Sequence, residues 1–585
     1  MRRFTVLLAA TALVAATPGA AAPSDDFLKL QNDYWAEILR SYPLLASSVG
    51  VTTYDRELSP VSLADMDRQA AASQAFLTRL NAIPQTGFSE TERANAAILR
   101  SLLQEQVDMN RFGQRQLLYS VLGSYHGSLA GMAEGLTFRS ASDYRNYLAR
   151  LALVPERMRA YGDLSVKAAR EGFVQPCVTM TRFPETITGV ITADPTKSRF
   201  YAPFAAARPA NIPAAEWTAL QGQARTLVET GINPAYRQFA ATYDRDLKGR
   251  CRQSVSASDQ PNGLAYYAAQ VRSHTTTDMT PDQIHKLGLS EVARIRAEME
   301  QVAKSAGFAS REAMIADMRS NPKWYFKTDT ELLEATALQA KAIDGKMPSL
   351  IGRLARLPYG IRPMDLATAP GDTTARYQPG SPATAIAGFY LVNTTKLDQR
   401  PSWEIPALTV HEAVPGHHQQ IALQQELDLP EWRRQVAFFT AFVEGWGLYS
   451  ERLGIEMGIY DTPQKNMGRL GYEMWRACRL VIDTGLHSKG WSKAQAVQYF
   501  RDNSTLTEAN IDAEVNRYIS NPGQALAYKI GELKIRELRA RAEKELGDKF
   551  DLRAFHDAVL GQGAIPLDAL DAQVGAWIAA RKQAS

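Results

Sequence analysis

Three of the eight histidines in this 585-residue chain lie within eight positions of one another. They are His411, His417 and His418 in the segment HEAVPGHH. Glu412 follows the first directly, as in the signature H-E-x-x-H, in which two histidines one helical turn apart bind zinc and the glutamate takes a proton from water. Pro415 stands where that signature has its second histidine. The segment therefore has the residue types of a hydrolytic metal site at an altered spacing.

The spacing leaves the second histidine ligand open. On a regular helix His417 is rotated by about 600° from His411, and His418 faces the same way but lies about 10.5 Å further along the axis. Pro415 and Gly416 predict a kinked or widened turn, because proline removes a helical hydrogen bond and crowds the preceding turn. Such a turn could return His417 or His418 to the metal. The alternative is a solvent-exposed helix end on which the histidines serve as caps.

Two later glutamates favour the metal site. The segment PEWRRQVAFFTAFVEGWGLYSERLG predicts an apolar helix that carries Glu444 and Glu451. A carboxylate on a buried helix face is costly unless it is paired or bound to a metal. Glu444 is in the position expected of a third ligand from a second, antiparallel helix. Glu451, two turns later, is expected to hold a ligand ring in place by a hydrogen bond.

Three further features suggest peptide binding. Arg479 in RACRLVI and Arg517 in EVNRY are candidates to bind a substrate carboxylate by bidentate hydrogen bonds, with a structural salt bridge as the alternative for each. A clamp on a terminal carboxylate would indicate a carboxypeptidase or dipeptidase, and its absence an oligopeptidase. The segment AIAGFYLVNTT is predicted to bind a peptide backbone by strand addition.

Helical periodicity dominates the rest of the chain, so we predict a mainly α fold. Apolar residues recur at three- and four-residue spacing in DDFLKLQNDYWAEILRSYP and in TPDQIHKLGLSEVARIRAEMEQVAKSAG, which opens on a threonine cap. Residues 357–395, rich in Gly, Pro and Thr, predict a small β-sheet near the metal site. The turn residues QPNG at 260–263 suggest an N-terminal helical lobe (22–260) and a C-terminal metal-binding catalytic lobe (261–585), with one continuous domain as the alternative.

The N-terminal sequence MRRFTVLLAATALVAATPGAAAPSDD predicts a signal peptide over residues 1–21 and export to the periplasm or the medium. No cysteine lies near the expected cleavage, so a lipid anchor is not predicted, and no later apolar run is long enough to suggest membrane attachment. The net charge of +4 without a long basic run gives no indication of nucleic-acid binding.

The cysteines predict at most one disulfide. Cys177 and Cys251 both lie beside turn residues and could pair, whereas Cys478 is predicted to be a buried free thiol within a helix.

Taken together, HEAVPGHHQQ, FVEGWGLYSE and EVNRYISNPGQALAYKIG resemble the domain of unknown function 885 (DUF885) family of predicted metallopeptidases. That family is distantly similar to the helical gluzincins, among them thimet oligopeptidase, carboxypeptidase Taq and angiotensin-converting enzyme. The resemblance implies a two-lobed fold with a deep central cleft and one Zn²⁺ ion held by two histidines and a glutamate.

Matched residue by residue, the resemblance implies specific roles. The metal ligands would be His411, His417 and Glu444, with His418 as the alternative to His417, and Glu412 would be the general base. His487 together with Tyr518 or Tyr528 would donate hydrogen bonds to the developing oxyanion. The alternatives are a helix cap for His487 and core packing for the tyrosines.

The leading functional hypothesis is an exported zinc-dependent peptidase that hydrolyses short peptides. A catalytically inactive peptidase-like binding protein is the first alternative. A non-haem iron enzyme is the second, because such enzymes also use two histidines and one carboxylate. Glu412 favours the hydrolase, since an oxygenase needs no base beside its first ligand.

Overall fold

The computed structural model describes residues 23–583 except 121, 367–368, 370–372 and 383–385. The predicted signal peptide, residues 1–21, lies outside the described residues. The described part is mainly helical with one small sheet, which confirms the predicted fold class at that level. None of its helices is long and apolar enough to cross a bilayer.

The helices before residue 260 are numbered α1 to α10 in chain order. Their bounds are Pro23–Ser41, Pro43–Ser48, Leu63–Ala82, Glu90–Asn110, Tyr125–Ala130, Ala141–Arg170, Phe183–Thr188, Ala202–Ala205, Ala214–Leu227 and Asn233–Thr242. The disulfide Cys177–Cys251 forms, which confirms that pairing, and it ties the segment after α6 to the segment after α10. Cys478 is a buried free thiol, as predicted.

The later helices are α11 to α24. Their bounds are Gly263–Thr275, Pro281–Ser305, Arg311–Ser320, Asp329–Asp344, Ile405–Glu412, His417–Glu426, Glu431–Gln435, Thr440–Leu453, Pro463–Ser488, Lys493–Asn503, Glu508–Ser520, Ala527–Leu546, Leu552–Leu560 and Leu567–Gln583. The predicted cap of α12 is present, because the Thr280 side chain accepts from the Gln283 N–H and the Gln283 side chain accepts in return.

The sheet lies between α14 and α15, where the sequence predicts it. Its strands are β1 (Tyr359–Pro363), β2 (Ala375–Gln378) and β3 (Gly388–Val392), in the order β1–β3–β2. β3 is parallel to β1 and antiparallel to β2. Both edges of β3 are therefore already paired, and the prediction that the segment AIAGFYLVNTT adds a substrate strand is wrong.

One of the three large apolar cores contains residues from both sides of the expected boundary at residue 260. One core is formed by residues between Leu58 and Leu247. A second combines α1, α3 and α4 with α16, α18 and α22. A third lies between α12, α15 and α19 and includes the buried face of the sheet. α15, which carries His411, contributes Val410 to the second core and Leu408 to the third, whereas α16 and α18 contribute to the second.

One helix differs from its predicted extent. The segment 430–454 is two helices, α17 and α18, because residues 436–439 leave the helical conformation. α19 begins at Pro463 and is capped by Thr462. α18 packs directly on α22, since a side chain at Gly531 would overlap the carbonyl oxygen of Ala441. This backbone contact places the start of α22 beside Glu444.

Candidate metal site

The six-residue spacing between His411 and His417 is accommodated by a break between two helices. α15 ends at Glu412 and α16 begins at His417, with Ala413 at φ −97°, ψ −109° and Gly416 at φ −70°, ψ −131° between them. The Val414–Pro415 peptide is cis. The chain therefore changes direction between two helices and does not form the expected widened turn inside one helix. This change of direction brings the His411 and His417 rings together, with their centroids 4.6 Å apart.

The connecting segment is tightly fitted. A side chain at position 416 would overlap the backbone oxygen of His411, so only glycine fits there. The Trp446 indole N–H donates to the Pro415 carbonyl oxygen at 2.7 Å, which ties the connection to α18. The break that aims His417 is thus supported by the helix that carries Glu444.

Donor atoms of His411, His417 and Glu444 all lie within 4.8 Å of one another. Glu444 Oε2 is 3.6 Å from His411 Nε2 and 3.5 Å from His417 Nε2. These distances are long for hydrogen bonds, whereas two ligands of a tetrahedral zinc ion with bonds of about 2.1 Å lie roughly 3.4 Å apart. Glu444 Oε2 is buried and has no hydrogen-bond partner among the described residues. The distances between the three donor atoms therefore match ligands around one metal ion better than they match hydrogen bonds.

The electrostatics of the trio favour a cation. Burial lowers the pKa of His411, but the carboxylates of Glu444 and Glu451 outweigh that effect and raise it to about 9. Burial raises the pKa of Glu444, but the imidazoles of His411 and His417 outweigh it and hold the pKa well below its usual range. Positive charge is thus stabilised between the rings and the carboxylate, where a divalent ion would replace the proton.

Glu451 orients His411. Its Oε1 accepts a hydrogen bond from His411 Nδ1 at 2.8 Å, which leaves Nε2 as the ring's ligand atom. Arg476 Nη2 lies 3.0 Å from the same carboxylate oxygen, and both side chains are buried. The sequence reasoning did not identify Arg476. The sequence did contain a signal for it: Arg476, like Arg479, lies in the apolar helical segment MWRACRLVI, where a charged side chain needs a partner.

Gly447 allows His411 to reach its position. A Cβ at Gly447 would lie 2.8 Å from His411 Cε1 and 3.1 Å from each ring nitrogen. The His411 ring therefore packs on the bare backbone of α18, one turn after Glu444. Neither the glycine nor its role was identified from the sequence.

Glu412 is 8% exposed and, within the described part of the chain, neither accepts a hydrogen bond nor pairs with a cation. It shares its helix end with His411, and its charge helps burial to raise the pKa of Tyr390 on β3. An unpaired carboxylate beside the metal ligands is what a general base requires.

His418 is not available as a ligand, so the alternative to His417 is wrong. Its Nε2 donates to the Leu357 carbonyl oxygen at 2.9 Å, and its Nδ1 accepts from the Tyr377 hydroxyl at 2.9 Å. Burial lowers its pKa to about 4, which keeps the ring neutral. His418 joins α16 to the sheet, and the cluster of potential ligands contains His417 instead.

His487 and Tyr518 have no free donor for an oxyanion, contrary to the implied roles. His487 Nδ1 accepts from the Ala257 N–H, its Nε2 donates to the Tyr518 carbonyl oxygen, and burial lowers its pKa to about 4. It joins three segments rather than capping α19. The Tyr518 hydroxyl donates to Glu514 at 2.6 Å and accepts from Arg479 Nε at 2.9 Å.

Tyr528 differs from Tyr518 because it is only half-buried and lies next to the site. Burial raises its pKa, and the nearby Glu444 carboxylate adds to the effect. The guanidinium of Arg479 stacks on its ring, 4.1 Å from the centroid. Arg479 and Arg517 both pair with Glu514, 3.0 Å and 2.9 Å from the same carboxylate oxygen.

Comparison with solved structures shows two relatives of similar length. A "putative lipoprotein" from Colwellia psychrerythraea is 25% identical, with a TM-score of 0.87 over 96% of this chain and 100% of the other. A "putative lipoprotein of unknown function" from Shewanella oneidensis is 20% identical, with a TM-score of 0.73 over 94% and 99%, a likeness of fold alone. No curated protein gives a significant match. A family profile described as "Bacterial protein of unknown function (DUF885)" matches residues 43–574, so the chain belongs to the DUF885 family.

Proposed function

We propose that this protein is an exported zinc-dependent peptidase that hydrolyses short peptides. The observation that carries the proposal is the convergence of His411, His417 and Glu444 on one point, beside the unpaired carboxylate of Glu412. Two nitrogens and one oxygen are a common ligand set for catalytic zinc, which keeps a further position open for water.

The same ligand set suits non-haem iron. Glu412 supports hydrolysis over oxygenase chemistry, because it is buried beside the ligands without a structural partner. It also argues against an inactive binding protein, in which a base with no other contact would have no purpose.

A zinc ion held by His411, His417 and Glu444 would supply a polarised water and a Lewis acid for the scissile carbonyl. Glu412 takes a proton from the attacking water and passes it to the departing amine. Glu451 and Arg476 hold His411 in one tautomer and orientation. The Tyr528 hydroxyl, which is close enough for the Glu444 charge to act on it, is our candidate donor to the developing oxyanion.

Export and the two-lobed organisation belong to the same proposal. The description of the Colwellia psychrerythraea relative as a "putative lipoprotein" supports export. We propose cleavage of the signal peptide after residue 21. The lobes 22–260 and 261–585, with a cleft between them, remain the proposed frame for a peptide substrate.

The test compares the purified parent with Glu412→Gln for zinc content and for cleavage of a mixed peptide library. We expect near-stoichiometric zinc in both proteins and cleavage only by the parent, because glutamine keeps the shape but cannot accept a proton. Glu431→Gln, which removes a carboxylate that pairs with Arg434 on α17, is the matched control and should cleave normally. A parent without zinc, or a Glu412→Gln protein with undiminished turnover, contradicts the proposal.

A further inference from the structure

We propose that Arg517, Arg479 and Tyr528 form a subsite for the free C-terminal carboxylate of a peptide, so that the enzyme cleaves from the carboxyl end of its substrate. This inference rests on the proposed peptidase function and adds the substrate class. Four observations support it: an unbalanced charge, proximity to the metal ligands, solvent access and a closed far wall.

The arginine pair carries more positive charge than the one carboxylate it binds directly compensates. Arg479 and Arg517 share one carboxylate, that of Glu514. The other polar contacts are neutral: Arg517 donates to Gln524, and Arg479 to the Tyr518 hydroxyl. Arg479 is 3% exposed and its Nη1 has no partner among the described residues. An uncompensated buried charge is costly, and a ligand carboxylate would balance it.

Tyr528 connects this pair to the metal ligands. Its ring stacks on Arg479, and it lies one helical turn before Gly531, where the backbone of α22 touches Gly445 of α18. Glu444 directly precedes that contact.

Solvent reaches both ends of the proposed subsite. The Arg517 side chain is 23% exposed, that of Glu444 16% and that of His417 10%, although each is otherwise surrounded by protein. The proposal requires that these exposed atoms face one space, so that a peptide contacts the arginine pair and the metal ligands together. Arg517 already donates from Nε and Nη2 to Glu514 and from Nη1 to Gln524, so it would offer the ligand carboxylate the remaining N–H groups of Nη1 and Nη2, with Arg479 behind it.

The far wall of the subsite indicates a chain terminus. Behind the arginines the space is filled by buried Trp475, Tyr518 and Glu514, which hydrogen-bond to one another. A polypeptide cannot continue through this wall. A carboxylate that ends the chain fits, whereas an internal acidic side chain would require the main chain to pass alongside.

The test uses the zinc-loaded full-length protein and acetylated peptides that differ only at the C-terminus. One peptide carries a free acid, the second an amide, and the third an amide preceded by glutamate. We expect the parent to cleave the free acid near its carboxyl end with a kcat/KM about 10- to 100-fold above that of the first amide, since a charged hydrogen-bond pair is lost in the amide. Mass spectrometry gives the number of residues released.

Arg517→Met should lose this preference while it retains zinc, with both peptides cleaved at the rate of the amide. Arg517→Lys, which keeps the charge but not the planar fork, should lie between the two and serves if the methionine variant does not fold. The control Arg501→Met removes an exposed arginine paired with Glu508 and should behave as the parent.

Equal cleavage of acid and amide by the parent overturns the inference and leaves the peptidase proposal standing. Cleavage of the glutamate-containing amide as fast as the free acid assigns the subsite to an acidic side chain and also overturns it. If the zinc-loaded parent cleaves none of the peptides or the wider library, the proposed function fails and the inference fails with it.

Discussion

The substitution Gly447→Ala is the clearest steric test of the proposed metal site. The added Cβ would lie 2.8 Å from His411 Cε1 and 3.1 Å from both ring nitrogens, closer than such atoms pack. In the metal-free protein the ring can move aside. With an ion bound, the proposed ligand atom Nε2 would be fixed as well, so the ring would have to return to the place that its Nδ1 hydrogen bond to Glu451 gives it.

The expected cost follows from the size of the overlap. Insertion of a methyl group into a packed site costs about 1–3 kcal/mol, which corresponds to zinc binding about 5- to 150-fold weaker. Alanine also gains about 1 kcal/mol over glycine within a helix. The metal-free variant should therefore unfold at nearly the parental temperature, while its zinc affinity falls.

The assay is a zinc titration in competition with a fluorescent chelator, with thermal unfolding of the metal-free proteins recorded alongside. Gly222→Ala is the matched control, because a Cβ at Gly222 in α9 meets nothing within 4 Å. It should bind zinc as the parent does and be stabilised by up to about 1 kcal/mol. A Gly447→Ala protein with parental zinc affinity would refute the placement of His411 on α18.

Three further predictions concern other parts of the molecule. Arg476→Met should weaken zinc binding about 10- to 100-fold, measured by the same titration, because Glu451 loses its partner and His411 its orientation; unchanged affinity would contradict this role. Replacement of Cys177 and Cys251 by serine should lower the free energy of unfolding by about 4 kcal/mol, since the bond closes a loop with a sequence separation of 74 residues; denaturant unfolding measures it, and an unchanged midpoint would contradict it. Burial raises the pKa of Asp483 to about 7 from 3.8, so its contribution to stability is fully present below about pH 4 and is lost as the pH rises to about 7. Asp483→Asn should therefore lose less stability than the parent between pH 4 and 7 in denaturant unfolding, and parallel pH profiles would contradict the shift.

The parts of the fold that depend on local sequence were predictable. α12 begins at its threonine cap and ends just before Gly307, because capping and helical periodicity act within a few residues. The cluster of His411, His417 and Glu444 was partly predictable, since His411 and Glu444 are polar residues in apolar segments, and a buried polar residue needs a partner or a metal. The pairing within the sheet was not, because the central position of β3 depends on contacts with strands distant in sequence.

The sequence by itself determined which residue types could bind a metal and that helices would carry them. Only the tertiary structure decided that His417 and not His418 faces the cluster, that Arg476 supports Glu451, and that His487 and Tyr518 are already fully hydrogen-bonded. The physical reason is that a ring's direction depends on the backbone torsions of residues 413–416 and on the segments that pack against them. The spacing of apolar residues along the chain specifies neither these torsions nor these packing contacts.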